Sequence, residues 1–220
     1  MISFILASQS PRRQALLGLV GFPFEVQIAN ANEESVTDSN PSVNVVETAR
    51  LKANMIANHI KRPFPSHTIL IAADTTVVLD DQMLGKPNST YQARQMLIAL
   101  RNRKHAVHTG LVLLDFSSGM EVTGVHTAYV TMRNYGDDEI EAYVASGDPM
   151  DKAGAYAIQH PQFNPVAQLD GCYLGVMGLS VCHLLHLLTH FNVPLAADLT
   201  AVSTAHQQYP CQLFNQLTRK

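Results

Sequence analysis

The stretch from Thr68 to Pro87, TILIAADTTVVLDDQMLGKP, decides how the chain folds. Five apolar residues, Ile69-Leu70-Ile71-Ala72-Ala73, lead straight into Asp74, and Thr75-Thr76-Val77-Val78-Leu79 then resume the run. It is too short to span a membrane and too rich in β-branched side chains for a helix, so it predicts a central strand buried on both faces. An unpaired carboxylate is costly to desolvate in such a strand, which places Asp74 at a strand end or cleft wall facing a cation, a metal or water. Asp80-Asp81, next to Gln82, reads as a hairpin turn, and the return strand Met83-Leu84 runs into Gly85-Lys86-Pro87. Folded back, it carries Lys86 towards Asp74. A structural ion pair between those two residues is the alternative reading.

Upstream, Ile2 to Ala7 reads as a strand, followed by Ser8-Gln9-Ser10-Pro11-Arg12-Arg13. Ser10 is a suitable N-cap and Pro11 a suitable first helical residue, with Ala15, Leu16, Leu19 and Val20 forming an apolar face before Gly21. Arg12 and Arg13 oppose the helix dipole, where acids are preferred, so serine, backbone N–H and guanidinium donors coincide where an anion would bind. Phe22 to Ile28 predicts a strand, and Ala29 to Pro41 a polar loop carrying Glu33 and Glu34. From about Ser42 to His59 a helix buries Val43, Val46, Ala49, Ala53 and Ile56, with Lys52 beside that stripe, free either to reach the surface or to point into a cleft. Lys61 to His67 is a connector.

Downstream, Ser89 or Thr90 caps a helix with Ala93, Met96, Leu97 and Leu100 on one face. His105 to Leu114 and Glu121 to Met132 predict an antiparallel pair joined at Ser117-Ser118-Gly119. Asp137 is expected to cap a helix through Val144. The segment MDKAGAYAIQ, 150 to 159, has small residues that permit close backbone approach. Phe163 to Leu169 predicts a last strand and Leu179 to His190 a last helix. His183, His186 and His190 fall on one face of it, read as a polar face rather than a metal site, because H-E-x-x-H spacing is missing. The tail from Asn192 to Lys220 is expected to be loosely attached.

The composition narrows the function classes. With 220 residues and 46% hydrophobic content the chain has enough apolar material for a packed core. A net charge of −3 gives no global field for duplex nucleic acid, so an anionic ligand must meet a local cluster of cations. No apolar run is long enough to cross a bilayer, and MISFILASQS has no basic n-region, so the expectation is a cytoplasmic protein with no membrane partner. Three cysteines, Cys172, Cys182 and Cys211, without C-x-x-C spacing argue against a disulfide framework or a structural zinc site and predict reduced, partly buried thiols. P-loop, dinucleotide and G-x-S-x-G motifs are missing, which weakens kinase, dehydrogenase and α/β-hydrolase readings. What remains suits a polyphosphate, a divalent ion and an activated water.

Several separated motifs, in order, resemble the Maf family of nucleoside triphosphate pyrophosphatases, also called septum formation inhibitor Maf proteins. They are LASQSPRR at 6 to 13, the Glu33 loop, ARLKA at 49 to 53, AADT at 72 to 75, GKP at 85 to 87, YVASGDPMDKAGAYAIQ at 143 to 159 and GCYLGVMGL at 171 to 179. The resemblance covers roughly Ile2 to Leu188. It implies an α/β fold with an elongated mixed sheet flanked by helices and a central cleft, related to the inosine triphosphatase fold, in one catalytic domain over 1 to 190 with two lobes, leaving 191 to 220 as a tail of unknown role. It implies hydrolysis of a nucleoside triphosphate between the α- and β-phosphates, with Mg²⁺ or Mn²⁺ as cofactor. Asp74 would be the proton acceptor that activates water, Ser8, Arg13, Lys52 and Lys86 would surround the phosphates, and Glu33 with Asp74 would be the metal partners. Arg12, Thr75 and Gln159 match the branch that hydrolyses dTTP and UTP and would set base specificity. No stable nucleic-acid partner is implied, and a homodimer stays open. Cys172 stands for the usual serine and Ser180 for the proline that starts the last helix, changes that bear on the base pocket. A nucleotide-binding regulator of division without turnover, and hydrolysis of a purine or methylated nucleotide, are the competing expectations.

Overall fold

The computed structural model describes residues 2–60 and 67–218. The strands are β1 (Ser3–Ala7), β2 (Phe24–Gln27), β3 (Thr68–Leu79), β4 (Gln82–Leu84), β5 (Lys104–Asp115), β6 (Glu121–Met132) and β7 (Val166–Asp170). The helices are α1 (Pro11–Gly18), α2 (Pro41–His59), α3 (Thr90–Leu100), α4 (Asp137–Ala145), α5 (Tyr173–Met177), α6 (Val181–Leu188), α7 (Leu199–Ala205) and α8 (Gln212–Leu217). One mixed sheet runs β2-β1-β3-β5-β6-β7, with β4 hydrogen-bonded to β3 beside that path. The α/β class and the mixed sheet flanked by helices follow the sequence reading. Most of the connector expected at 61 to 67 lies outside the described residues.

The quoted stretch is the pivot of the sheet. β3 pairs with β1 in parallel from Ser3↔Thr68 to Leu6↔Ile71, and with β5 antiparallel from Ile69↔Asp115 to Val78↔Ala106. Side chains alternate along a strand, so Ile69, Ile71 and Ala73 enter the larger core while Leu70 and Ala72 enter a smaller one on the opposite face. Each of the isoleucine and leucine side chains contributes on the order of 1.5–3 kcal/mol when buried. Asp74 and Thr75 are the two β3 residues that are only partly buried, and they sit side by side in the middle of it. The hairpin turn forms at Asp80 and Asp81, both with positive φ, and returns as β4.

Helix α2 covers the smaller core with Ala49, Ala53 and Ile56. It comes close because Gly110, opposite Asp74 in the β3–β5 register, carries no side chain; a Cβ there would lie 2.7 Å from the Val45 backbone. At α1 the expected cap is formed, the Arg13 N–H donating to Ser10 Oγ at 3.4 Å.

Some expectations are corrected. The N-cap of α4 is Gly136 rather than Asp137, with the Gly136 N–H donating to Glu139 Oε2 at 2.8 Å. The last strand starts at Val166, after Arg133 has tied the 163–165 backbone in place. Helix α6 is followed by two more, so the tail is not loosely attached: Val202, His206 and Cys211 are buried, and Tyr209, Leu213 and Phe214 pack on the larger core. Tail helices this short carry weak periodicity, which is why their sequence reads as loop. His186 and His190 are exposed, as a polar face requires, whereas His183 turns inward and is half-buried against Gly124, its Nδ1 buried without a hydrogen-bond partner among the described residues. The cysteines are free and buried.

Candidate active site

A cleft of about 780 Å³ opens over the middle of β3. It is lined by all nine of the candidate residues, Ser8, Arg12, Arg13, Glu33, Lys52, Asp74, Thr75, Lys86 and Gln159. Its floor is an ion pair that the sequence alone did not assign. Lys52 Nζ, on the sheet-facing side of α2, lies 2.7 Å from Asp74 Oδ1 and 3.0 Å from Glu33 Oε1. The lysine is buried, whereas Glu33, in a short 3₁₀ turn (Glu33–Ser35), is exposed. Among the described residues Asp74 Oδ2 accepts no hydrogen bond from another side chain. The partner of Asp74 is therefore Lys52 and not Lys86, a correction to the hairpin reading. Lys86 is exposed on the cleft wall and, among the described residues, forms no ion pair.

The turn from β1 into α1 supplies the second group. Ser8 is buried at the end of β1, its Oγ accepting the Ser10 N–H at 3.2 Å. Arg13 Nε donates to Gly178 O at 2.9 Å, and its NH2 reaches Thr75 Oγ1 at 3.4 Å. Burial lowers the Arg13 pKa, against the opposing fields of Asp74 and Glu33, yet a guanidinium stays charged at any ordinary pH. Among the described residues it has no carboxylate in ion-pair contact, so the charge is directed by hydrogen bonds and left for an external anion. Thr75 is held by Thr109 Oγ1 at 3.2 Å, and Thr109 donates in turn to Gly175 O at 2.9 Å. The threonine next to the acid thus positions Arg13.

Arg12 points the other way and pairs with Asp151 at 3.0 Å across the rim. Burial works against the Asp151 carboxylate, but hydrogen bonds and charge from Lys152 and Arg12 outweigh it and pull its pKa down. Lys152, a residue of the YVASGDPMDKAGAYAIQ motif with no role assigned from sequence, is buried on the cleft wall and held by Asp148 at 2.9 Å and Asp151 at 2.6 Å. The signal available was a lysine flanked by acids inside a small-residue run. That run closes on the hairpin: Gly154, with φ +66°, donates its N–H to Gly85 O at 3.1 Å and packs against Val77. Gln159 is half-buried at the far end, near Tyr156, whose hydroxyl meets buried His105 Nε2 at 2.8 Å.

Five cations, Arg12, Arg13, Lys52, Lys86 and Lys152, face four carboxylates, Glu33, Glu34, Asp74 and Asp151, so the cleft is locally positive in a chain of net charge −3. A concave site of this size with converging donors suits a small polyanion. Glu33 and Asp74 offer hard oxygens that already converge on one cation, the Lys52 ammonium, and such a donor set fits Mg²⁺ or Mn²⁺.

Residues 3–191 match the family described as Maf-like protein. The chain is 40% identical over 192 residues to a dTTP/UTP pyrophosphatase of Dictyoglomus turgidum, covering 87% of this chain and 97% of the relative. It is 40% identical over 194 residues to a protein of the same name from Moorella thermoacetica, covering 88% and 97%. A third, from Thermomicrobium roseum, is 40% identical over 212 residues, covering 95% and 94%. Among the described residues no helix is long and apolar enough to cross a membrane.

Proposed function

The chain belongs to the Maf-like protein family, and from that premise we propose that it is a nucleoside triphosphate pyrophosphatase acting on dTTP and UTP in the cytoplasm. The observation that supports this reading is the meeting of Asp74, Glu33 and five cations in one cleft, with Lys52 joining the two carboxylates. A triphosphate brings about four negative charges near neutral pH, and its hydrolysis is mainly a matter of positioning and charge neutralisation.

Asp74 is the base in this proposal. Its carboxylate orients a water against the α-phosphorus and takes the proton as the new P–O bond forms. The bond from the α-phosphorus to the α–β bridging oxygen breaks, pyrophosphate leaves with the electron pair, and the nucleoside monophosphate remains. Arg13, Ser8, Lys52 and Lys86 hold the phosphates, and Arg13 is aimed beforehand by Gly178 and Thr75. Glu33 and Asp74 would hold Mg²⁺ or Mn²⁺, which when bound would lower the pKa of water and neutralise phosphate charge. Gln159 carries both a donor and an acceptor, matching the polar edge of uracil or thymine, while Arg12 and Thr75 complete the specificity set.

A panel of ribo- and deoxyribonucleoside triphosphates with Mg²⁺ or Mn²⁺ tests the reading. Pyrophosphate should be released from dTTP and UTP ahead of the purine nucleotides, and Asp74→Asn should lower kcat by about 10²–10⁴-fold. Nucleotide-dependent thermal stabilisation without any turnover would overturn it. Gln159→Ala should flatten the preference between bases; an unaltered preference removes Gln159 from the specificity set.

A further inference from the structure

Away from the cleft, the structure brings together four residues that are scattered along the sequence. Cys172 precedes α5, Cys182 lies in α6, His206 ends α7 and Cys211 precedes α8. All four are buried, and their ligand atoms lie within 4.8 Å of one another. His206 Nε2 is 3.6 Å from both Cys172 Sγ and Cys182 Sγ. Its other nitrogen, Nδ1, is 2.7 Å from Val202 O, and only a protonated Nδ1 can donate there. The backbone therefore fixes the tautomer and turns the Nε2 lone pair towards the sulfurs, as a carbonyl commonly does behind a metal-bound histidine.

We propose that Cys172, Cys182, His206 and Cys211 form a structural Zn²⁺ site that fastens the two tail helices to the catalytic domain. With Zn–S of about 2.3 Å and Zn–N of about 2.05 Å, a regular tetrahedron has S···N edges of about 3.5 Å and S···S edges of about 3.8 Å. The observed S···N distances of 3.6 Å match, and all the ligand atoms lie within 4.8 Å of one another, so a small inward shift completes the tetrahedron. Three sulfurs and an imidazole select a soft or borderline metal, and four protein ligands leave no open position, which distinguishes this site from the carboxylates of the cleft. Each thiol would release its proton to solvent on binding. The alternative, a core thiol donating its S–H to Nε2, needs one sulfur beside the imidazole, whereas three gather there with their ligand atoms within 4.8 Å of one another.

The surroundings add two features. The Cys172 N–H donates to His126 Nε2 at 2.9 Å, and Tyr173 stacks on Tyr209 at 5.2 Å while its hydroxyl donates to Gln207 at 2.8 Å, so both sides of the cluster are braced. Cys172 also leads into α5 and Gly178, whose carbonyl holds Arg13 in the cleft. His206 and Cys211 lie beyond the residues that match the family, 3–191. C-x-x-C spacing is not present because the ligands come from four helix ends, brought together only by folding.

The test uses the full-length chain without an affinity tag, so that the exposed histidines of α6 are not loaded with nickel. Purified from zinc-supplemented medium, it should carry about one zinc per chain, and chelation should lower its Tm. Replacement by Co²⁺ should give the visible bands of tetrahedral cobalt and a near-ultraviolet thiolate-to-cobalt charge-transfer band. All three cysteines of the chain lie in this cluster, so the charge-transfer band of the wild-type chain reports the site independently of how any variant folds. Cys211→Ser should lose the zinc and weaken that band, whereas His186→Asn should leave both unchanged. Wild-type protein without the thiolate band in excess Co²⁺, or Cys211→Ser with undiminished zinc, overturns the proposal.

Discussion

Lys52 Nζ and Asp74 Oδ1 stand 2.7 Å apart, joining the middle of helix α2 to the middle of strand β3. The contact sets both the charge of the cleft floor and the seating of the helix. Lys52 also holds Glu33, so its two carboxylates are not equivalent in what their loss would do. Removing Asp74 leaves the lysine one acceptor; removing Lys52 leaves a partly buried carboxylate without its cation.

Lys52→Met is therefore expected to cost more stability than Asp74→Asn, about 3 kcal/mol against about 1 kcal/mol. Urea unfolding of the two variants and of the double variant measures this. The double variant should recover part of the Lys52→Met loss, because the carboxylate then left without its lysine is Glu33, which is exposed; strict additivity would show that the pair is not coupled.

Gly110→Ala tests how the helix reaches the strand. The added Cβ would meet the Val45 backbone at 2.7 Å, so α2 must move outward and take Lys52 with it. A loss of about 1–3 kcal/mol is expected, together with lower pyrophosphatase activity. Gly119→Ala, where the added Cβ meets nothing within 4 Å but φ is +71°, serves as the comparison. It should cost stability through backbone strain and leave activity unchanged.

Asp151→Asn releases Arg12 at the rim. Asp151 is 61% exposed and Lys152 keeps Asp148, so the stability change should stay within about 1 kcal/mol. The cleft gains one net positive charge, and KM for the nucleotide should fall at low ionic strength, with the difference shrinking as salt is added. A KM that does not respond would mean that Arg12 does not meet the substrate.

Burial pushes His105 down to about 4, and His183, buried near His126 and His186, also to about 4. A base whose folded-state pKa is depressed is protonated first in the unfolded chain. Its contribution to stability is complete above about pH 6.5, declines as pH falls towards 4, and levels off once the folded form also protonates. Each histidine can contribute a slope of up to about 1.4 kcal/mol per pH unit in that window. His105→Gln should flatten the pH dependence of the urea midpoint between those limits. The same slope in variant and wild type would remove His105 as its source.

The legible parts of this protein were those written over a few consecutive residues. The β3–β4 hairpin followed from an apolar run and a two-aspartate turn, and α1 from Ser10 and Pro11. Arg12 and Arg13 stood out because they oppose a helix dipole. Less legible were short elements whose residues give little periodicity, such as α5, α7 and α8, and the buried role of Lys152, which depends on Asp148 and Asp151 folding around it.

By itself the sequence determined a buried central strand interrupted by one acid, a cation-rich helix start, a return lysine, and motifs sufficient to indicate the family. Only the tertiary structure decided which cation meets Asp74, because Lys52 is reached through the β3–β5 register and the close approach allowed at Gly110. It likewise decided that Arg13 is held by Gly178, which lies 165 residues away. It also gathered three cysteines and a histidine from four helix ends into one cluster. Local patterns are encoded by backbone preference and side-chain period, whereas these contacts arise from how separate elements pack, which no short window of sequence contains.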